Sequence, residues 1–270
     1  MRIARFVPLG TAGTGAGEDP RYGLVEAESG QQGAEVLAVL TGDPLYPPVQ
    51  LTGERIPLAD ARLLAPVIPR SKVVGIGRNY AAHAEELGNE PPAEPLIFLK
   101  PNTSVIGPDD VVQRPPQSAE VHYEGELAVV IGRLCRDVPR ERVGEVVLGY
   151  TCANDVTARD LQRRDGQWAR AKGFDSFCPL GPWIVTDLDV SDLRLTTRLD
   201  GVTVQDARTS QLLFDVPALV AHVSAAFTLL PGDVILTGTP AGVGPMLAGQ
   251  RVEVEIEGIG VLANPVADRS

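Results

Sequence analysis

Glu124 and Glu126 stand one residue apart at the head of an uninterrupted apolar run, Leu127-Ala-Val-Val-Ile131. Such a run reads as a strand covered on both faces, so the chain must supply a layer on each side of it. Side chains at i and i+2 of a strand share a face, which sends both carboxylates toward one point. Carboxylates heading into an apolar wall must be protonated, paired or bound to a cation. Asp155, in Gly149-Tyr-Thr-Cys-Ala-Asn-Asp-Val-Thr-Ala-Arg-Asp160, offers a third. Three carboxylates with no cysteine or histidine pair nearby form a hard-ligand set suited to Mg2+ or Mn2+, with positions left for water or substrate.

The pattern also has a plainer explanation. In Arg251-Val-Glu-Val-Glu-Ile-Glu257, the glutamates 253, 255 and 257 alternate with Val252, Val254 and Ile256. That is an amphipathic strand with a wet acidic face. Strand pattern alone does not separate the two explanations for Glu124 and Glu126.

The chain divides unevenly. Residues 1–68 read as a small β-rich unit, with short strands at Ile3–Val7, Tyr22–Ala27 and Ala34–Leu40 between Gly/Asp/Pro clusters. Residues 69–270 form the larger unit. The glycine run Gly10–Gly17 lacks the Gly-Lys-Ser/Thr ending of a phosphate loop and reads as a turn. Gly75-x-Gly77 is no dinucleotide fingerprint, because Tyr80 stands where the third glycine belongs. Asp200-Gly201 predicts a two-residue hairpin between Leu195–Leu199 and Val202–Val204. Asp215 caps a predicted helix running to about Leu230, with Leu219, Val220, Val223 and Phe227 on one stripe. Many strands and few helices indicate a β-rich α+β fold.

A formal charge of −11 and a pI of about 4.8, with no Lys/Arg-rich run, argue against nucleic acid as a partner. No apolar run of signal-peptide or membrane-spanning length occurs, so the expectation is a cytoplasmic protein with no membrane partner. Cys135, Cys152 and Cys178 are odd in number and widely spaced, as free thiols rather than a disulfide or zinc frame would be.

A second constellation lies in Ala81-Ala-His-Ala-Glu-Glu86. Residues three apart on a helix are neighbours, so His83 and Glu86 can hydrogen-bond. A carboxylate on one imidazole nitrogen fixes the tautomer and raises the basicity of the other, which suits the pair to activating water. An exposed helix with an incidental His/Glu pair fits the same spacing. Six ordered segments settle the context: GIGRNYAAHAEE at 75–86, PLIFLKP at 95–101, VHYEGELAVVIG at 121–132, GYTCANDVTARDLQ at 149–162, AKGFDSFCPLGPW at 171–183 and GDVILTGTPAGVGP at 232–245. Together they resemble the fumarylacetoacetate hydrolase family, in its smaller branch of acylpyruvases, oxaloacetate decarboxylases and 2-hydroxyhepta-2,4-diene-1,7-dioate isomerases. The resemblance covers about residues 70–266.

The resemblance implies a mixed β-sandwich or β-roll catalytic domain, with Glu124, Glu126 and Asp155 holding the divalent metal between its sheets. It implies that His83 and Glu86 are the catalytic dyad on a short lid, and that Lys172 reaches the substrate beside the cation. Gln162 and Thr239 match positions that hydrogen-bond the substrate's carboxylate, and Lys100 is a further candidate contact. Arg78 and Arg159 also match the family, and both read as structural ion pairs. His122 reads as a partner that orients the ligand face, and His222 as structural. The implied chemistry is hydrolysis of a C–C bond in an acylpyruvate-like 2-oxo acid through a metal-stabilised enolate. Decarboxylation and isomerisation, reactions of aromatic catabolism, are the alternatives, and a non-catalytic metal-binding protein a more distant one. The family is commonly dimeric, which predicts a homodimer.

Overall fold

The computed structural model describes residues 1–9, 19–28, 34–86, 88 and 90–269; the glycine run at 10–17 lies outside them. Among the described residues, twelve strands form one large sheet. Its path runs through Leu51–Pro57, Glu35–Leu40, Arg21–Ala27, Arg2–Pro8, Cys178–Val185, Val147–Asn154, Gly125–Ile131, Val234–Leu236, Val73–Gly77 and Leu96–Lys100. Neighbours on this path are antiparallel, except that Val234–Leu236 runs parallel to Val73–Gly77. The strands of the first quarter join the larger part directly, where Arg2 and Ile3 pair with Val185 and Ile184. A five-stranded sheet, Val202–Arg208, Arg194–Leu199, Arg251–Ile256, Gly260–Asp268 and Val112–Arg114, packs across the large one. A three-stranded sheet joins Thr157–Ala158, Val121–Tyr123 and Gly244–Pro245.

Leu127–Ile131 is the layer between two cores, as its unbroken apolar sequence requires. Leu127, Val129 and Ile131 face Leu195, Val254, Ile256 and Leu262 of the five-stranded sheet and the helix Val216–Ala226. Ala128 and Val130 face the opposite way, against Ile3, Val73, Leu180, Ile184 and Leu236. All five are buried within a single chain.

Local signals behave as their chemistry dictates. Asp200 and Gly201 take φ of 51° and 79°, and Leu199 pairs with Val202 across them. In Arg251–Ile256 the valines and isoleucine point inward and the glutamates toward solvent, so this acidic strand is amphipathic and nothing more. Asp215 accepts the Ala218 N–H at 2.9 Å and caps the helix, whose buried stripe includes Leu219, Val220 and Val223. That helix ends at Ala226, four residues before the expected Leu230. Phe227 turns extended, and Leu229 exchanges backbone hydrogen bonds with Cys135, which draws the chain out of the helix. The strands Leu51–Pro57 and Ala61–Leu64 were not anticipated, because neither carries a buried apolar face in its sequence. No helix among the described residues is long and apolar enough to cross a membrane.

Leu195 joins the two sheets over the strand that leads out of the acidic pair. Leu195→Ala should lower the free energy of unfolding by about 2–5 kcal/mol, the usual cost of emptying a well-packed leucine site. Urea denaturation followed by far-ultraviolet circular dichroism reads this directly.

Candidate active site

The two acidic segments meet where both strands change sheets. Gly125 pairs with Asn154 in the large sheet, whereas His122 pairs with Thr157 in the three-stranded sheet. Glu124 and Asp155 occupy the opposed breaks, so Glu124 is not on the strand that carries Glu126. The break is held by hydrogen bonds from Asp155 N to Glu124 O at 2.8 Å and from Glu124 N to Asn154 Oδ1 at 2.9 Å. Glu124, Glu126 and Asp155 are all buried, and each offers one oxygen within 4.8 Å of the others.

Three cations are built into the same spot from three further elements. Lys172, on the short helix Ala169–Gly173, donates to Glu124 Oε2 at 2.7 Å and to Asp155 Oδ2 at 2.6 Å. Arg159, which opens the helix Arg159–Asp165, pairs with Glu124 Oε1 and donates to Gln162 Oε1 at 2.6 Å. Lys100, at the end of the edge strand Leu96–Lys100, pairs with the other oxygen of Asp155. Glu126 has no cation among the described residues; its Oε2 accepts only the Gly238 N–H, at 2.7 Å.

The charges follow from this arrangement. Burial opposes ionisation of Glu124, but Lys172 and Arg159 outweigh it and hold the carboxyl well below its usual range. Burial likewise disfavours the Lys172 ammonium, yet Asp155 and Glu124 raise its pKa above the ordinary lysine value. Burial drives Glu126 well above the usual carboxylate range, and the negative charges of Asp155 and Glu124 add to the effect. A buried carboxyl beside two ionised ones needs either a proton or a further cation. The donor set is all hard oxygen, and an ionised carboxylate keeps free lone pairs after two hydrogen bonds. Mg2+ or Mn2+ therefore fits these residues.

A cavity of about 470 Å³ opens over the triad. His83 lies on its wall, buried, with Nδ1 3.2 Å from Glu86 Oε2 on the helix Ala81–Glu86. Glu86 uses its other oxygen to accept the Gly242 N–H at 3.0 Å. Gly242 sits at φ +98°, and a Cβ there would lie 2.2 Å from Val204 O, so only glycine presents this amide to Glu86. Gln162 and Thr239 also line the cavity. With Gln162 Oε1 occupied by Arg159, its amide nitrogen remains as the donor toward a ligand. The Thr239 hydroxyl already donates to Gly125 O and accepts from Gln205 Nε2, both at 2.9 Å, so it reaches a carboxylate only by turning from Gly125.

Lys100 does not line the cavity; it lies beneath the floor, where it holds Asp155. Arg159 forms the expected ion pair, but Arg78 does not: no carboxylate pairs with it among the described residues, and its guanidinium lies 6.0 Å from the Trp168 ring on the cavity wall. His122 is not a wall residue, and its Nε2 sits 3.0 Å from Glu120 Oε1. His222 is on the partly exposed flank of its helix. Sequence reasoning missed Asn154, Gln205, Trp168 and the amides of Gly238 and Gly242. Of these, Asn154, adjacent to Asp155, and Gly238 and Gly242, in the segment 232–245 around Thr239, had a positional hint.

Comparisons with known proteins place the chain among similar sequences and structures. The family model described as fumarylacetoacetate (FAA) hydrolase C-terminal matches residues 72–267, and that described as Rv2993c-like, N-terminal matches residues 1–66. The chain is 50% identical to the crystal structure of 5-carboxymethyl-2-hydroxymuconate delta-isomerase from Mycobacterium smegmatis, with a TM-score of 0.88 over 100% of both chains. It is 40% identical to the mitochondrial oxaloacetate tautomerase Fahd2a of Rattus norvegicus over 279 residues, covering 92% of this chain and 88% of that one. It is also similar to fumarylpyruvate hydrolase from Pseudomonas aeruginosa, solved with Mn2+ and pyruvate, at 36% identity and a TM-score of 0.71, covering 75% of this chain and 91% of that one.

Replacing the uncompensated carboxyl separates ligand from structural roles. Glu126→Gln should leave the metal-free protein as stable as the parent or more so, because a buried amide costs less than an unpaired carboxylate. It should weaken Mn2+ binding at least about 10-fold, since a charged oxygen ligand is replaced by a neutral one. Thermal melting with chelator and calorimetric Mn2+ titration measure the two effects separately.

Proposed function

The chain belongs to the fumarylacetoacetate hydrolase family, and from that premise we propose that it is a divalent-metal-dependent hydrolase cleaving a C–C bond of an acylpyruvate-like 2-oxo acid. The observation that carries this reading is the His83–Glu86 pair on the wall of the cavity whose floor is the acidic triad. A site that only stored a cation would need no such base. Mg2+ or Mn2+ held by Glu124, Glu126 and Asp155 supplies Lewis acidity, stabilising negative charge as it develops on the substrate's keto oxygen.

The protein's own groups supply the remaining steps. Gln162 Nε2, and Thr239 once it turns, hold the substrate carboxylate. Glu86 accepts a hydrogen bond from His83 Nδ1–H, which leaves Nε2 as the free base. His83 takes a proton from water, and the hydroxide adds to the distal carbonyl carbon. The C–C bond breaks with its electron pair moving into the pyruvate fragment as an enolate, whose charge the Lys172 ammonium helps to balance. The proton on His83 then passes to the enolate carbon, leaving a carboxylate and pyruvate.

A second reading, tautomerisation or isomerisation of a 2-oxo diacid, or decarboxylation of oxaloacetate, uses the same enolate without attack by water. The names of the tautomerase and isomerase relatives favour it. The rest of the proposal is a cytoplasmic enzyme of aromatic catabolism, with a small unit at 1–68, a catalytic unit at 69–270 and two copies per particle. Because Leu127–Ile131 is buried inside one chain, the contact between copies falls elsewhere on the larger unit.

His83→Ala should lower hydrolytic kcat by about 10²–10⁴, the usual worth of a positioned general base. Decarboxylation of oxaloacetate should fall less, because no water attacks. Steady-state assays with acylpyruvates and oxaloacetate check both, and equal losses would mean that His83 does something other than activate water, such as closing the lid. Sedimentation should give about twice the 28.7 kDa chain mass at micromolar concentration; a single-chain mass would remove the dimer.

A further inference from the structure

Four fixed cations line the cavity, and three are matched. Lys172 is bonded to Glu124 and Asp155, Arg159 to Glu124 and Gln162, and Arg163 to Glu120. Arg78 alone, among the described residues, lines the cavity without a carboxylate partner. We propose that Arg78 is the specificity-determining residue that binds a second carboxylate, at the far end of a 2-oxo diacid. This rests on the 2-oxo acid reading given above and deepens it by naming the substrate class.

The local backbone is built to place this side chain. Arg78 has φ +58°, a conformation that side-chain-bearing residues rarely adopt and that persists only where neighbours enforce it. Both neighbours do so. A Cβ on Gly77 would lie 2.8 Å from Trp168 Cζ3, so the missing side chain admits the indole against the backbone. Asn79 is fully buried, donating to Phe214 O at 3.0 Å and Thr237 O at 2.8 Å, while its Oδ1 accepts the Phe214 N–H at 2.9 Å. Between a glycine packed on tryptophan and an asparagine tied to two segments, the turn has little freedom.

Arg78 also takes no part in the ion pairs of the floor. Lys172 Nζ lies 5.0 Å from the Phe98 ring, Phe98 packs edge-on to Trp168 at 5.5 Å, and Arg78 lies 6.0 Å from Trp168. The two aromatic rings connect the lysine of the buried cluster to this guanidinium along the cavity lining. The indole face stabilises the cation without neutralising it, and the planar fork stays available for a bidentate carboxylate. One end of a substrate is thus read by the triad and its partners, and the other by Arg78, across an apolar wall.

The test uses two probes that differ only in the distal carboxylate: 2-oxoglutarate and 2-oxopentanoate. Calorimetric titration in saturating Mg2+ reads affinity without requiring turnover. The parent protein should bind 2-oxoglutarate about 10- to 100-fold more tightly, the range expected for a charge-assisted hydrogen-bonded pair. Arg78→Gln should erase that preference while leaving 2-oxopentanoate affinity within about twofold. Arg78→Lys, which keeps the charge and loses the fork, should retain part of the preference, and it serves in place of the glutamine variant if that one does not fold. Arg163→Gln should leave the preference intact. The inference is overturned if the parent shows no preference, if Arg78→Gln weakens both probes equally, or if Arg163→Gln removes the preference instead. Failure of the parent to bind either probe would overturn the 2-oxo acid reading itself and this inference with it.

Discussion

The arrangement of this protein depends on a cluster of buried charge: three carboxylates against three cations at the point where two strands leave one sheet for another. Taking any of these ions out of water costs several kcal/mol, repaid only when partners and hydrogen bonds are in place together. The partners come from far apart in the sequence. Lys100 ends an edge strand, Arg159 opens one short helix and Lys172 sits near the end of another. Each element is therefore tied to the acidic crossing by charge, and Leu161 and Ala171 add buried apolar contacts beside it. Glu126 bonds to none of these cations, and burial with the charges of Asp155 and Glu124 drives its carboxyl well above the usual range. Structural stability and ligand binding meet in that one residue.

Much of this was legible in the chain. The apolar run after Glu126 demanded a layer on each face, and two cores lie there. Asp200-Gly201 specified its hairpin because few other dipeptides tolerate two positive φ values in succession. The acidic strand Arg251–Ile256 and the acidic triad, indistinguishable by alternation alone, were separated by the six ordered segments around them. What the sequence concealed was whatever depends on a break in regular structure. Strand alternation placed Glu124 and Glu126 on one face for the wrong local reason, since Glu124 lies in the gap between two strands.

Backbone donors and distant partners were hidden for a related reason. The Gly238 and Gly242 amides, which hold Glu126 and Glu86, have no side chain to announce them. Lys100 belonged to the site by its segment, but only three dimensions show that it supports Asp155 from below. Arg78 was read as half of an ion pair because most arginines beside an acidic site are. The pairing was taken by Arg159, and which of two arginines reaches a glutamate depends on turns that local sequence does not encode.

The cavity is consequently built from two kinds of material. Its floor is a cross-braced set of buried ions on strands and helices. Its walls are a six-residue helix held by one glutamate to one amide, two aromatic rings and a guanidinium on a turn. Changes in the walls alter which molecule is seated and whether water is activated, without disturbing the charge balance beneath. Changes in the floor remove a partner from an ion that cannot be left alone in the interior. The relatives that share this scaffold are named as a tautomerase, an isomerase and a hydrolase. In the proposed reaction, the residues that stabilise the crossing are also those that meet the 2-oxo acid end, and the wall meets the rest of the substrate.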